Sequence, residues 1–220
     1  MLRQDVFAGR NWLQLMDSAA TQYGINIQYC MPFPRHVIQS AEMKAVSQMR
    51  ASNDYHPNND QWKIGVTSLL VSSVGAAPFK DTFWSSSDKQ PNNPYGKDTI
   101  EPATLTEALV ATLSTGPVGP SDKADMLNEQ LIMRSCRKDG VLLKPDQPAI
   151  ALDRTYRQRS FGHGGPDGEV WQTTSQLGSQ VWGIVVAFEL HSKFNVSPDE
   201  LQSEHSNKLI VLVYIPTLNS

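Results

Sequence analysis

The stretch Ala45-Val46-Ser47-Gln48-Met49-Arg50-Ala51-Ser52-Asn53-Asp54-Tyr55 places an arginine at the end of an apolar run and an aspartate four residues later. Its first six residues predict a β-strand, and the Ser-Asn-Asp triplet predicts the loop that follows. Enzymes of the α/β class keep their chemistry at the C-terminal ends of their strands. Asp54 is therefore the first catalytic candidate, although the same triplet is also typical of a turn or a helix cap.

Helical and strand-like segments alternate on both sides of this stretch. Before it, the pattern predicts a helix over 11–23, a strand over 25–31 and a second helix over 34–43. After it, a helix that ends at Gly75 leads into a short strand over 76–79. A breaker-rich loop over 85–97 and a helix over 103–113 complete the series. This alternation predicts parallel βαβ units.

The alternation of helical and strand-like segments ends at about residue 148. The segments 170–174, 181–190 and 209–215 are strand-like, and glycine-rich or polar loops separate them without a convincing helix. This pattern indicates an antiparallel β region. The sequence thus predicts two domains, residues 1–148 and residues 149–220.

Composition limits the class of partner and the chemistry. The 220 residues carry a net charge of −3, and the isoelectric point is about 5.9. The composition therefore lacks the excess of basic residues that is typical of nucleic-acid-binding proteins, and we expect no nucleic-acid partner. The two cysteines, Cys30 and Cys136, suggest neither a zinc cluster nor a disulfide framework. His36 and His56 lack the spacing of metal ligands. We therefore expect no metal and no cofactor.

The sequence leaves the compartment and the oligomeric state open. The first residues lack the apolar core of a signal peptide, and no window approaches the length of a membrane span. The protein is then either intracellular or missing its true N-terminus, in which case a secretory or lysosomal location is compatible with the sequence. The sequon Asn195-Val196-Ser197 points weakly to a secretory route.

Four segments carry a resemblance to a known enzyme family. They are Gln28-Tyr29-Cys30-Met31-Pro32, Arg50-Ala51-Ser52-Asn53-Asp54, Lys80-Asp81-Thr82-Phe83-Trp84 and Gly116-Pro117-Val118-Gly119-Pro120-Ser121-Asp122. Their order and spacing resemble the second half of a clan of retaining glycoside hydrolases that contains the α-galactosidases and the plant raffinose synthases. The resemblance covers about residues 10–150. It implies a fragment: the C-terminal half of a (β/α)8 barrel, strands five to eight, over 1–148, and a partial antiparallel β-sandwich over 149–220.

The same resemblance implies a role for the residues at the ends of the sixth and seventh barrel strands. Arg50 and Asp54 match the family's Arg-x-x-x-Asp pattern, in which the aspartate is the general acid/base and the arginine contacts substrate or biases the local electrostatics. Asp81 falls near the family's substrate-contacting aspartate after strand seven. A helix-capping role for Asp81 is the alternative.

Three further residues are candidates for substrate contact. Cys30 and Met31 fall at the end of the fifth strand, where the family often has a polar residue that binds sugar hydroxyls. Methionine at that position puts the identity of the sugar in doubt. Trp84 is suited to stacking on a sugar face, and a place in the core is the alternative. The expected partner is an α-glycoside.

Retaining hydrolysis requires a second carboxylate roughly 5 to 5.5 Å from the acid. In the family this nucleophile lies at the end of the fourth strand, and here Asp5 is the only acid in that vicinity, without a convincing strand before it. We therefore expect the 220-residue chain alone to be nearly inactive. Three hypotheses stay open: a fragment of an α-galactosidase-like glycosidase, an inactive carbohydrate-binding relative, and an α/β interaction domain without sugar chemistry.

Overall fold

A computed structural model describes residues 5–59, 63–197 and 200–201 and the backbone of Lys208–Ile215. Its α-helices are α1 Ala8–Gln22, α2 Pro34–Gln39, α3 Gly65–Ser73, α4 Thr104–Leu113, α5 Glu129–Ile132 and α6 Asp153–Phe161, and a 3-10 turn covers Ser40–Glu42. The strands are β1 Ile27–Tyr29, β2 Val46–Arg50, β3 Ala77–Phe79, β4 Ile150–Ala151, β5 Glu169–Leu177, β6 Gln180–Phe188 and β7 Lys208–Ile215.

The first sheet is parallel and has the strand order β1-β2-β3. The sequence predicts four sequential parallel neighbours, near residues 25, 45, 76 and 117, and the structure confirms this for the first three. At the end of β2, Arg50 is in register with Phe79 of β3. The strand predicted near Pro117 is reduced to a parallel bridge between Phe83 and Pro120. The backbone passes close to β3 there, because a Cβ on Gly116 would lie 2.5 Å from the Cβ of Phe79.

The second sheet has the order β4-β5-β6-β7 and mixes two strand directions. β4, β5 and β6 are antiparallel neighbours, whereas β7 runs parallel to β6. Trp171 and Phe188 are buried on it, and their ring centroids are 4.5 Å apart. Helix α6 lies between β4 and β5, where the sequence suggested no helix. Gly162 ends this helix in the left-handed conformation that glycine adopts without strain.

The predicted fold class is wrong. Within the described residues the chain forms two small sheets, of three and four strands, that close into no barrel, and the mixed second sheet is not a partial antiparallel sandwich. Local alternation of helices and strands specifies βα units, but closure of a barrel depends on strand number, tilt and long-range register. The chain is a small α/β protein.

One buried cluster joins residues from both sides of residue 148. Trp171 packs with Ala51 and Val110 at less than one-tenth exposure. The start of α3 approaches the indole so closely that a Cβ on Gly65 would lie 2.4 Å from its Nε1. The division into residues 1–148 and 149–220 stays a prediction, and this cluster is continuous across it.

Two helices bury a carboxylate that their apolar spacing did not predict. In α1 the apolar spacing of Trp12, Met16, Ala19 and Tyr23 predicts the inner face, but all four residues are exposed. Asp17 is buried instead, and its Oδ1 accepts a 2.7 Å hydrogen bond from Ala45 N. In α4 Leu105 is exposed and Glu107 is buried. In both helices a carboxylate with a specific partner is buried, so hydrophobic spacing alone gives an incomplete account of the inner face.

Candidate functional site: a charged cleft at the ends of two parallel strands

Arg50 organises the edge of the sheet where β2 and β3 end. Its side chain is 5% exposed and binds two carboxylates, Asp54 Oδ1 at 2.6 Å through Nη2 and Asp81 Oδ2 at 3.1 Å through Nη1. Burial opposes the charge of the Arg50 guanidinium, but the Asp54 hydrogen bond and the charge of Asp81 together raise its pKa above the ordinary value. The guanidinium therefore remains a fixed positive charge at the base of the site.

The exit loops of β2 and β3 are tied to each other by hydrogen bonds. Asp81 N donates to Ser52 Oγ at 2.8 Å, and Asp81 Oδ2 accepts a 2.8 Å bond from Tyr55 N. Ser52 Oγ also donates to Asn53 O at 2.9 Å. Asp81, one-fifth exposed, thus holds the loop on either side of Asp54.

Of the two carboxylates that bind Arg50, Asp54 is the more exposed to solvent. Its side chain is 66% exposed and lines a cleft of about 590 Å³. The other residues that line this cleft, which we call the charged cleft, are Met31, Ala51, Ser52, Asn53, His56, Asn59, Lys63, Ile64 and Thr67. They come from the end of β1, the loop after β2 and the start of α3. Hydroxyl, amide, imidazole and ammonium groups therefore surround an accessible carboxylate, and these groups suit a ligand that carries several hydroxyls.

Two of the predicted contact residues lie where β1 ends. Met31 lines the charged cleft and also a neighbouring groove of about 270 Å³, in which Cys30 takes part. The Cys30 thiol is exposed. Since β1, β2 and β3 are parallel, their C-terminal ends lie along one edge. Met31 and Asp54 line the charged cleft at this edge, and Asp81 joins them through Arg50.

Trp84 lies beneath the cleft. It is 3% exposed, and its ring packs edge-on against Tyr55 at 6.5 Å and against Tyr95 at 5.8 Å between centroids. This placement is that of a core residue, the alternative that the sequence left open. His56, whose ring lies 5.2 Å from Tyr95, links this aromatic cluster to the wall of the cleft.

Asp5, the residue weighed as a nucleophile, lies at the start of α1. Its Oδ1 accepts a 2.8 Å hydrogen bond from Phe7 N, and it lines a groove with Trp12 and Arg35. That groove lies between α1 and α2. The carboxylate that shares the Arg50 guanidinium with Asp54 is Asp81.

A buried layer behind the cleft escaped the sequence reasoning. Lys80 and Glu107 form an ion pair of 2.5 Å at 0 and 1% exposure, and Glu101 is 1% exposed. Burial raises the pKa of Glu107 to about 7 and lowers the pKa of Lys80. The sequence offered one sign of this layer: Glu107 lies among the apolar residues of α4. A carboxylate is rarely buried without a partner, so a buried glutamate there would imply a cation next to it.

Comparison with protein-family models and with curated proteins gives no match to the chain. Fold and site therefore define the class: a small α/β protein with a charged cleft at the C-terminal ends of parallel strands. No helix among the described residues has the length and apolar character to cross a membrane. The described part of the chain also contains no group of three His, Cys, Asp or Glu side chains arranged to hold a metal ion.

Proposed function

We propose that the chain is a carbohydrate-active protein of the retaining glycoside hydrolase type, similar to the α-galactosidases, with Asp54 as the general acid/base. The observation that supports this function best is the solvent-facing carboxylate of Asp54, held on the buried guanidinium of Arg50 inside a polar cleft. Asn59 and Lys63 line the same cleft and are suited to hydrogen bonds with sugar hydroxyls.

The proposed chemistry uses one proton on Asp54. The carboxyl group gives its proton to the glycosidic oxygen as the bond from that oxygen to the anomeric carbon breaks. A nucleophile must attack the anomeric carbon as that bond breaks. In a retaining enzyme this is a second carboxylate, and the Asp54 carboxylate then takes a proton from the water that releases the sugar. No such carboxylate is assigned among the described residues, so in this chain azide would form the new bond to the anomeric carbon while the leaving alcohol carries away the Asp54 proton. The contact with Arg50 fixes the position of this carboxylate, and positioning is a condition for efficient proton transfer.

The second carboxylate of this edge has a different assignment. Asp81 binds both Arg50 and the backbone N–H of Tyr55, so we assign it to holding the loop and not to attack on the sugar. General acid catalysis alone is typically worth about 10² to 10⁴-fold. We therefore expect slow turnover by the 220-residue chain, and a small external nucleophile should accelerate it.

The test supplies that nucleophile as azide. The chain is assayed with α-galactosides that carry a dinitrophenol, a nitrophenol or a methanol leaving group, and a single displacement by azide yields the β-galactosyl azide. Asp54→Ala should slow the methyl and nitrophenyl substrates by about 10² to 10⁴-fold and leave the dinitrophenyl substrate nearly unchanged, because a good leaving group needs little protonation.

Asp98→Ala is the matched control, since Asp98 is also an exposed, ion-paired carboxylate on a loop. It should behave like the unsubstituted chain. If the chain neither binds an α-glycoside, measured by NMR titration, nor turns one over with azide, the proposal is rejected in favour of an interaction domain. Asp54-dependent binding without turnover would identify an inactive carbohydrate-binding relative.

A further inference from the structure

We propose that Glu101 is a positioning residue for Asp54: from the buried side of the protein it fixes the loop that presents Asp54 to the charged cleft. Glu101 acts through Tyr55 and Asn58, which follow Asp54 in that loop. The inference rests on the proposed function for its catalytic consequence. Its structural part, the fixing of the loop, stands on contacts alone.

Glu101 reaches the loop from 43 to 46 residues away in the sequence. Its Oε2 accepts a 2.8 Å hydrogen bond from the Tyr55 hydroxyl and a 3.1 Å bond from Asn58 N. Its Oε1 accepts a 2.9 Å bond from Ala103 N, which ties the carboxylate to the start of α4. At 1% exposure these bonds do not compete with water, so their loss leaves buried polar groups unpaired.

Tyr55, directly after Asp54, is held at both ends. Its backbone N–H donates to Asp81 Oδ2, and its hydroxyl, besides donating to Glu101, accepts a 3.1 Å bond from Trp84 N. Burial raises the pKa of Tyr55, so the hydroxyl stays protonated and remains a donor near neutral pH. The residue after the proposed acid is thereby fixed relative to both β3 and α4.

Asn58 gives a second, independent reason for an anchor. Its φ of 62° lies in the left-handed region, which is uncommon for residues other than glycine. Such a conformation persists when the surrounding structure specifies it, and the bond from Asn58 N to Glu101 does so here. The loop from Asp54 to Asn58 therefore ends at a residue that Glu101 holds.

Two variants remove the anchor in different ways. Glu101→Gln keeps the size of the side chain but replaces one carboxylate oxygen with an NH2 group, which cannot accept a hydrogen bond, so one oxygen is left for donors on both sides of the carboxylate. Tyr55→Phe keeps the ring and its aromatic contacts and removes the hydroxyl. It keeps the inference testable if Glu101→Gln does not fold. Val185→Ala, in the core of the second sheet, is the control for a general loss of stability.

The first readout is hydrogen exchange of the backbone amides of Tyr55 and Asn58, measured by NMR. Glu101→Gln should accelerate both by about tenfold or more, since their local opening no longer breaks the bonds to the carboxylate. Tyr55→Phe should accelerate exchange at Asn58 less strongly. Val185→Ala, compared under conditions where the fold is retained, should leave the ratio of loop exchange to exchange in β2 unchanged.

The second readout is the azide-dependent reaction of the nitrophenyl α-galactoside. Glu101→Gln and Tyr55→Phe should lower kcat by about 10 to 100-fold and change KM by less than about threefold, because a misplaced acid affects the transition state more than sugar binding. In the Asp54→Ala background Glu101→Gln should cause no further loss. A residue that merely stabilises the fold would not show this dependence on Asp54.

The outcomes separate the two proposals. Unchanged loop exchange in Glu101→Gln overturns the inference, whatever the activity. A loss of kcat that persists at full size in the Asp54→Ala background also overturns it, since Glu101 would then act by another route. If the unsubstituted chain neither binds nor turns over an α-glycoside, the proposed function fails, and loop exchange still decides whether Glu101 fixes the Asp54 loop.

Discussion

Two ion pairs start at neighbouring strand ends of the same parallel sheet. Arg50 is the last residue of β2 and binds Asp54, whose side chain is 66% exposed. Lys80 follows β3 directly and binds Glu107, and both side chains are at most 1% exposed. The two cations lie one register position apart, because Arg50 pairs with Phe79, the residue before Lys80, and different parts of the chain pack against them.

The covering element decides what each pair can do. Helix α4 brings Glu107 against Lys80 and excludes water, and the Lys80 ammonium also lies 4.8 Å from the Tyr55 ring centroid. Over Arg50 the described residues line a cleft, and the Asp54 side chain is 66% exposed to it. The comparison teaches that the strand end supplies the charge, whereas the layer above it determines whether that charge stabilises the fold or contacts ligands.

Breaking the buried pair should have the largest effect. Lys80→Met leaves the Glu107 carboxylate buried without its cation, and we expect the free energy of unfolding to fall by about 3 to 5 kcal/mol. Urea denaturation followed by fluorescence measures it. Lys89→Met, which removes the cation of an exposed pair with Asp98, should change stability by less than about 1 kcal/mol.

A double variant distinguishes the buried charge from the lost packing. Lys80→Met combined with Glu107→Leu removes both charges and should recover most of the stability, because apolar residues often replace buried ion pairs without cost. If the double variant is as unstable as Lys80→Met alone, packing of the lysine stem and not the orphaned carboxylate accounts for the loss.

The pH dependence of stability should report Glu107. Burial raises the pKa of this carboxyl from 4.5 to about 7, so between these values the folded state holds a proton that the unfolded state has lost. Unfolding then releases a proton, and this contribution to stability is present below about pH 4.5 and is lost as the pH rises to about 7. We expect a loss of about 1 to 3 kcal/mol across that window.

Glu107→Gln isolates this contribution. Urea denaturation of both proteins at several values between pH 4.5 and 7.5 should show the decline in the unsubstituted chain and a flatter profile in the variant. Parallel profiles for the two proteins would assign the pH dependence to other groups.

Replacement of the shared anchor should have an intermediate effect. Asp81→Asn weakens the ion pair with Arg50 and the bond to Tyr55 N, and a hydrogen bond to a charged group contributes a net stabilisation of about 1.5 to 3 kcal/mol. Since Asp81 is one-fifth exposed, we expect a net loss of about 1 to 2 kcal/mol. Amide exchange at Tyr55 should accelerate as well, and an unchanged rate would show that Asp81 does not hold the loop.

The smallest effect on stability should come from the open pair. Asp54→Ala removes a mostly exposed carboxylate, and such ion pairs contribute about 0 to 1 kcal/mol. Thermal denaturation should therefore barely distinguish this variant from the parent, even though the azide assay does. A loss above about 2 kcal/mol would place Asp54 among the residues that stabilise the fold and weaken its assignment as an acid.

Much of the local structure follows from local pattern. The apolar run before Arg50 predicted β2, and Gly75 predicted where α3 ends. Hydrophobic period, breakers and turn residues act over a few positions, so they are legible in sequence. The same reasoning missed α6, a strongly polar helix whose apolar period is weak.

Some features of the candidate site followed from the sequence, and others did not. That Asp54 and Asp81 lie at one edge followed from their positions after successive parallel strands, and the structure joins them through Arg50. The sequence left open whether Trp84 is buried, and the structure places it in the core. That Glu101 reaches the Asp54 loop did not follow, because no local rule pairs residues more than 40 positions apart.

By itself the sequence determined the strand ends at Arg50 and Phe79 and the polar loops that leave them. The tertiary structure decided that no barrel closes within the described residues, that one strand-end cation faces a cleft, and that the other is buried against Glu107. The reason is physical: periodicity and turn chemistry depend on neighbouring residues, whereas barrel closure, burial and the pKa of a carboxyl depend on which distant element packs above it.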